Sequence, residues 1–275
     1  MNTPQKILIG AAAAVIVIGG VAIGLTLKKA PDKIDISTIH TEAATETMAP
    51  TTAAPTTAAP TEAPTEPADA GTATSVTAIL ASYTSGKVSI QYPVVEKMSD
   101  EQMQGKVNEL LKSNALSFIK ANGVDEAKDT LDIKCKVISV DRKRITATYT
   151  GTYSADGAAH PVNVFYANTV NLSQAADLGF NDFTDAYTMA GYVLSDDVEF
   201  SGLSADEAKA VLEYRSGLTL EQLTETFNRA DFPLSSDTVW PESFSYEKQG
   251  KVCFSLPVPH ALGDYVIVTF DPTTK

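Results

Sequence analysis

Three patterns of apolar and polar positions follow one another along the chain. From Ile7 to Leu27, 21 residues carry no charge and a single hydroxyl, Thr26. At 1.5 Å per residue a helix of that length spans about 31 Å, the thickness of a bilayer's hydrocarbon core. The run therefore predicts a transmembrane anchor at 7–27 behind a tail at 1–6. A cleavable signal peptide, with Ala22 and Gly24 before the cut, is the rival reading. No cysteine follows the run, which excludes a lipidated-cysteine anchor. From Thr41 to Ser75 the pattern vanishes: the segment holds 11 Thr, 11 Ala and 5 Pro in 35 residues, with no Leu, Ile, Val or aromatic side chain. Such a composition cannot bury a core, so 28–75 is expected to be a disordered, extended stalk.

From residue 76 onward periodicity appears. Val88 and Ile90 alternate with polar neighbours and predict a strand stopped by Tyr92-Pro93. Met103, Val107, Leu110, Leu111, Ala115, Phe118 and Ile119 then recur at helical spacing, behind a capping pair read as Ser99 and Gln102 and ahead of Asn122-Gly123. Two alternating runs follow, Leu131 to Val137 and Ile145 to Tyr153, with a hairpin turn at Asp141 to Lys143. After the Asp156-Gly157 turn, His160-Pro161 leads into a strand at Val162, Val164 and Tyr166. Short helices are predicted from Phe183 to Tyr192 and behind the capping pairs Ser204/Glu207 and Thr219/Gln222, separated by Gly217. Strands return at Phe244 and Tyr246, at Val252 to Leu256 across Gln249-Gly250, and at Tyr265 to Phe270. Grouped strands joined by short turns predict an α+β fold, mainly antiparallel sheet packed with helices. Residues 76–275 form one globular unit, with halves at about 84–174 and 175–275.

Charge narrows the partners. The chain carries 34 acidic and 21 basic side chains, a net −13, and residues 76–275 keep 27 and 17 of these. The longest basic run is Arg142-Lys143-Arg144, so nucleic acid is excluded as a partner. Local acid concentrations at Asp177 to Asp185 and Asp196 to Glu207 read as a solvated surface that would also attract a basic partner. For orientation, Lys28, Lys29 and Lys33 outnumber Lys6, but a Thr/Pro stalk suits the outside of a cell. We therefore expect the folded part to lie outside the membrane, either anchored by 7–27 or secreted after cleavage.

Candidate chemistry is sparse. His160 and His260 both stand beside a proline at a strand end, near Asp156 and Asp264. Together they offer a base with an orienting acid; the plainer reading is that each imidazole bonds a turn backbone. No close-set metal motif occurs, and neither a metal nor a cofactor is expected. Ser117-Phe118-Ile119-Lys120 has the spacing of a serine-lysine nucleophile pair, but Phe118 and Ile119 sit on the core face and companion motifs are missing. Cys135 and Cys253 occupy the apolar phase of predicted strands, as buried thiols or as a disulfide between the halves.

The strand ending Tyr92-Pro93, the helix carrying Val107-Asn108, the Gly157 to Pro161 turn, and the closing Val258-Pro259-His260-Ala261-Leu262-Gly263-Asp264-Tyr265 together resemble the PdaC/RsiV-like extracytoplasmic domain family. The resemblance covers nearly all of 84–270. It implies an α+β domain outside the membrane of firmicute-type bacteria. One member of that family is an anti-sigma factor whose outer domain binds lysozyme, and another precedes a peptidoglycan deacetylase. Only six residues precede the apolar run and none follows 275, so neither the sigma-binding segment nor the deacetylase is expected here. The expected role is a surface recognition domain for a cell-wall polymer or a basic wall-lytic protein such as lysozyme. The alternatives are a wall-modifying hydrolase using His160, His260 and Asp264, or a stalked spacer.

Overall fold

The computed structural model describes residues 75–274. The anchor expected at 7–27 and nearly all of the stalk lie outside them; among the described residues no helix is long and apolar enough to cross a membrane. The described chain has an α+β fold of two sheets and five α-helices. Its first sheet runs β1 (Thr77–Ser85), β2 (Val88–Glu96), β3 (Thr130–Val140), β4 (Arg144–Ser154), β5 (Val162–Asn171) and β6 (Ala176–Leu178), in that spatial order. Every neighbouring pair is antiparallel except β2 with β3, which run parallel over three rungs, Val88 to Ile90 against Leu131 to Ile133. A parallel step needs a crossover, and α1 (Glu101–Ala121) supplies it.

The apolar stripe of α1 is the predicted one, with Val107, Leu111, Ala115 and Phe118 buried against the sheet. Its cap differs. Asp100, not Ser99, is the N-cap and accepts from Met103 N–H at 2.9 Å, while Gln104 reaches back to Met98 N–H. Either side chain can supply an oxygen there, and the carboxylate is also better placed for the helix dipole. The predicted stop at Pro93 is overturned as well. β2 runs on to Glu96, because past Ile90 it pairs only with β1 and the proline's missing N–H costs no ladder bond. β1 itself, with Ile79 and Leu80 exposed, lacks the clean alternation that would have revealed it.

The second half builds the sheet β7 (Glu199–Ser201), β10 (Tyr265–Phe270), β9 (Lys251–Pro257) and β8 (Ser245–Lys248), all antiparallel. Four helices accompany it: α2 (Phe180–Phe183), α3 (Ala186–Leu194), α4 (Ala205–Arg215) and α5 (Leu220–Asn228). The single helix expected around Phe183 to Tyr192 is therefore two, because Asp185 starts a new one by accepting from Thr188 N–H at 2.7 Å. Both later capping boxes form as predicted. Phe180, Phe227, Phe254, Leu256, Val266 and Val268 make the core between these helices and one face of the sheet.

The other face of this sheet meets the first half. β9 is consequently buried on both sides from Val252 to Leu256. Residues 165 and 166 point to opposite faces of β5, yet both touch the second half. Phe165 meets Tyr246 and Tyr265, and Tyr166 meets Trp240 and Phe244. The second half thus wraps the edge of β5 that β6, pairing only at Thr169 to Asn171, leaves open. That wrapping buries Thr146 and Thr148, which alternation alone assigns to solvent; the hydroxyls of Thr146 and Thr169 meet at 3.1 Å. An Arg144–Glu247 ion pair at 2.9 Å ties β4 to β8.

Candidate functional site

The two histidine turns converge. β9 leaves the sheet at Pro257, and a single 3₁₀ turn, His260–Leu262, ends at Gly263, whose φ of 98° puts it in the left-handed region. Asp264, at φ 71°, completes the reversal into β10. Its carboxylate accepts from His260 Nδ1 at 2.9 and 3.1 Å and from the backbone N–H of Asn163 at 2.7 Å. Asp264 therefore orients an imidazole and pins the β9–β10 turn to the start of β5. His160, two residues before that strand, lies with its ring 6.3 Å from that of His260 and 22° from parallel. The His260 side chain is 54 % exposed and Asp264 only 18 %. Asp156 does not join them. Its backbone N–H is held by Asp129 at 2.8 Å in a neighbouring turn that also engages the hydroxyl of Tyr153.

Beside this turn a cleft of about 710 Å³ opens between the halves. The first half contributes Phe118 at the end of α1, Tyr153 at the end of β4 and Phe165 on β5. Tyr214, Trp240 and Tyr265 come from the second half. Five of these rings brace one another in two groups. Phe165 and Tyr265 stack at 5.1 Å, and Phe118 meets Tyr153 edge-on at 5.7 Å and Trp240 edge-on at 5.1 Å. Polar groups are few: Asn122, Asn163, Ser255, Glu242 and Asp264. Ser255 is already committed, its hydroxyl accepting from Phe244 N–H at 2.9 Å. A second cleft of about 450 Å³ adjoins the first, and the two share Tyr214, Trp240, Pro241, Glu242 and Pro257. The result is a groove, with Trp240 and Glu242 on the ridge between its two parts. An open apolar groove with a handful of convergent polar groups is the usual form of a ligand site.

Sequence patterning missed Trp240 and Glu242. The signal was present, however, in the chain's only Trp, standing beside a proline in a stretch of some 15 residues after α5 with no regular strand or helix.

Other expected features fall elsewhere. Cys135 and Cys253 are both free and buried rather than joined. Cys135 sits on β3 beside Tyr149, where burial pushes its thiol up to about 12; Cys253 sits on β9, where burial also raises it, with Tyr246 and Thr269 as neighbours. The hydroxyl of Ser117 donates to Asn114 C=O at 2.6 Å and Lys120 pairs with Asp237, so these two side chains are engaged apart. The acids read as a solvated surface are exposed except Asp177, and some of them also have structural roles. Asp177 is desolvated between the amides of Asn114 and Asn168, with burial raising its pKa, while Asp182, Asp185 and Glu207 cap helices. Among the described residues no three His, Cys, Asp or Glu side chains gather as a metal ion requires.

No protein-family profile matches the sequence, and no curated protein matches it. Similar solved structures include two of the DUF3298 family. That from Bacteroides fragilis is 13 % identical, with 71 % of this chain and 88 % of that one covered at a TM-score of 0.38. That from Pseudomonas aeruginosa is 12 % identical, with 71 % and 89 % covered at a TM-score of 0.35.

Proposed function

We propose that this chain is a membrane-tethered recognition domain displayed outside a bacterial cell, whose folded part binds a glycan strand of the cell wall in the groove between its halves. One observation carries the reading: the groove's braced aromatic rings and sparse amide and carboxylate groups. The flat apolar faces of sugar rings stack on aromatic side chains, and their hydroxyls bond to the few polar groups between them. Asn163 and Asn122 line the groove with side-chain carbonyl oxygens that can accept from such hydroxyls, while their NH2 groups already donate to the Gly263 and Phe118 carbonyls. The Thr/Pro-rich segment before the fold supports a tether, since at about 3.1 Å per extended residue it reaches well into a wall.

The test is retention of the purified full-length chain on insoluble peptidoglycan. Trp240→Ala and Tyr265→Ala should each weaken retention about tenfold or more while the far-ultraviolet circular dichroism stays unchanged. Retention that ignores both substitutions removes the support. Salt-sensitive retention on lysozyme, with none on peptidoglycan, transfers it to a basic protein partner.

A second reading, a wall-modifying hydrolase, is favoured by the His260–Asp264 pair at the groove's rim with His160 beside it. An aspartate that orients an imidazole is the usual companion of a general base. Release of acetate or sugar from peptidoglycan by the wild-type chain, abolished in the His160→Ala, His260→Ala double variant, supports this reading; no turnover by the wild type ends it.

A further inference from the structure

The groove has a sign as well as a shape. In its larger part the only lysine, arginine, aspartate or glutamate side chains are two acids, Glu242 and Asp264. In the adjoining part the single cation, Arg229, is paired with Glu225 at 2.5 Å, which leaves Glu242 as the unpaired charge there too. Among the described residues no lysine or arginine lies within ion-pair distance of Glu242. The walls around these acids are aromatic, and ring faces attract cations by their quadrupole, most strongly for Trp and Tyr. Asp264 is already engaged by His260 Nδ1 and the Asn163 N–H, so it is Glu242, beside Tyr214 and Trp240, that favours a positive group and repels an anionic one. Hydroxyls and acetamide N–H groups can donate to these carboxylates, but only a free, protonated amine on the sugar adds a positive charge to meet the negative one.

We infer that the groove selects glycan strands whose amino sugars carry free, protonated amines over strands whose amines are acetylated, with Glu242 as the main counter-charge. The inference rests on the glycan reading above and names the chemical form of its ligand. Glu242 is the better test residue of the two acids. It is exposed at the mouth of the groove, whereas Asp264 also holds the β9–β10 turn.

Two hexasaccharides of the same β-1,4 backbone separate the possibilities, one of glucosamine and one of N-acetylglucosamine, titrated into the purified full-length chain at mildly acidic pH, where the sugar amines are protonated. The glucosamine hexamer should bind about tenfold tighter. Glu242→Gln should bring the two affinities within about twofold, Trp240→Ala should weaken both, and Glu109→Gln on the exposed face of α1 should change neither. Equal affinities, or tighter binding of the acetylated hexamer, overturn the selectivity and leave the glycan reading standing. Binding of neither hexamer overturns both. A preference for the amine form that survives Glu242→Gln, or that Glu109→Gln removes, assigns it to the net negative surface and overturns the inference.

Discussion

At the scale of single residues, two glycines with opposite surroundings make the packing argument testable. Gly151 on β4 faces Ile133 on β3, and a Cβ there meets the carbonyl oxygen of Asp132 at 1.8 Å and Ile133 Cα at 2.9 Å. Both are strand backbone and cannot swing aside. Gly151→Ala should therefore cost about 3 kcal/mol in urea unfolding. Gly105 on the exposed side of α1 meets nothing within 4 Å, so Gly105→Ala should add about 0.5–1 kcal/mol. Asp231 offers a pH signature. Fully buried, it accepts from the N–H and hydroxyl of Ser245, and desolvation pushes its pKa up to about 7. Folding thus takes up a proton. The stability this adds is complete below the ordinary carboxylate range and is lost as pH rises to about 7. Asp231→Asn keeps an acceptor for Ser245 N–H and tolerates the positive φ of 68°. Relative to wild type it should gain up to about 4 kcal/mol between pH 4 and 8, read as the difference between two denaturation series. None of this was legible beforehand: Asp231 looks like any other loop acid, and only the fold desolvates it.

Among the elements, legibility followed environment. Strands and helices with one face in solvent, such as β3, α1 and the capped α4 and α5, showed their period directly. β1 did not, because it is an edge strand with apolar side chains on both exposed faces, and the buried threonines of β4 concealed their cover because hydroxyls satisfy each other. The join between α4 and α3 was equally silent. Arg215, last residue of α4 and only 9 % exposed, donates to the carbonyls of Val193 and Ser195 at the end of α3. A buried guanidinium closing a neighbouring helix end satisfies orphan carbonyls that α3 cannot satisfy itself. Arg215→Leu should cost about 2–3 kcal/mol by leaving both unpaired, and Arg215→Lys, with one compact donor group, should recover only part of it. Melting of the two variants decides this.

Across the described residues, Phe118, Tyr166, Phe244 and Cys253 belong to one core that spans both sheets, with the partly buried Trp240 packed against it. The halves seen in the sequence are thus halves of one packing unit, and the first reaches Leu178 because β6 completes its sheet. Unfolding followed by Trp240 fluorescence, a probe of the seam, and by far-ultraviolet circular dichroism, a probe of all elements, should give coincident midpoints. Two separated transitions would refute the shared core. The groove lies along this same seam, which is why its histidine turns were visible as motifs while its walls were not: they bring together residues from Phe118 to Tyr265 that are far apart in the chain.

The three-rung parallel contact of β2 with β3 has a kinetic consequence. The hairpin β1–β2 and the meander β3–β4–β5 each close over short stretches of chain, whereas Val88 to Ile90 must find Leu131 to Ile133 across the full length of α1. Loop closure over that distance comes before any reward, so the junction is set late. Conservative truncation at Ile90 should speed unfolding with little change in refolding rate, while truncation at Ile145, inside the meander, should slow refolding.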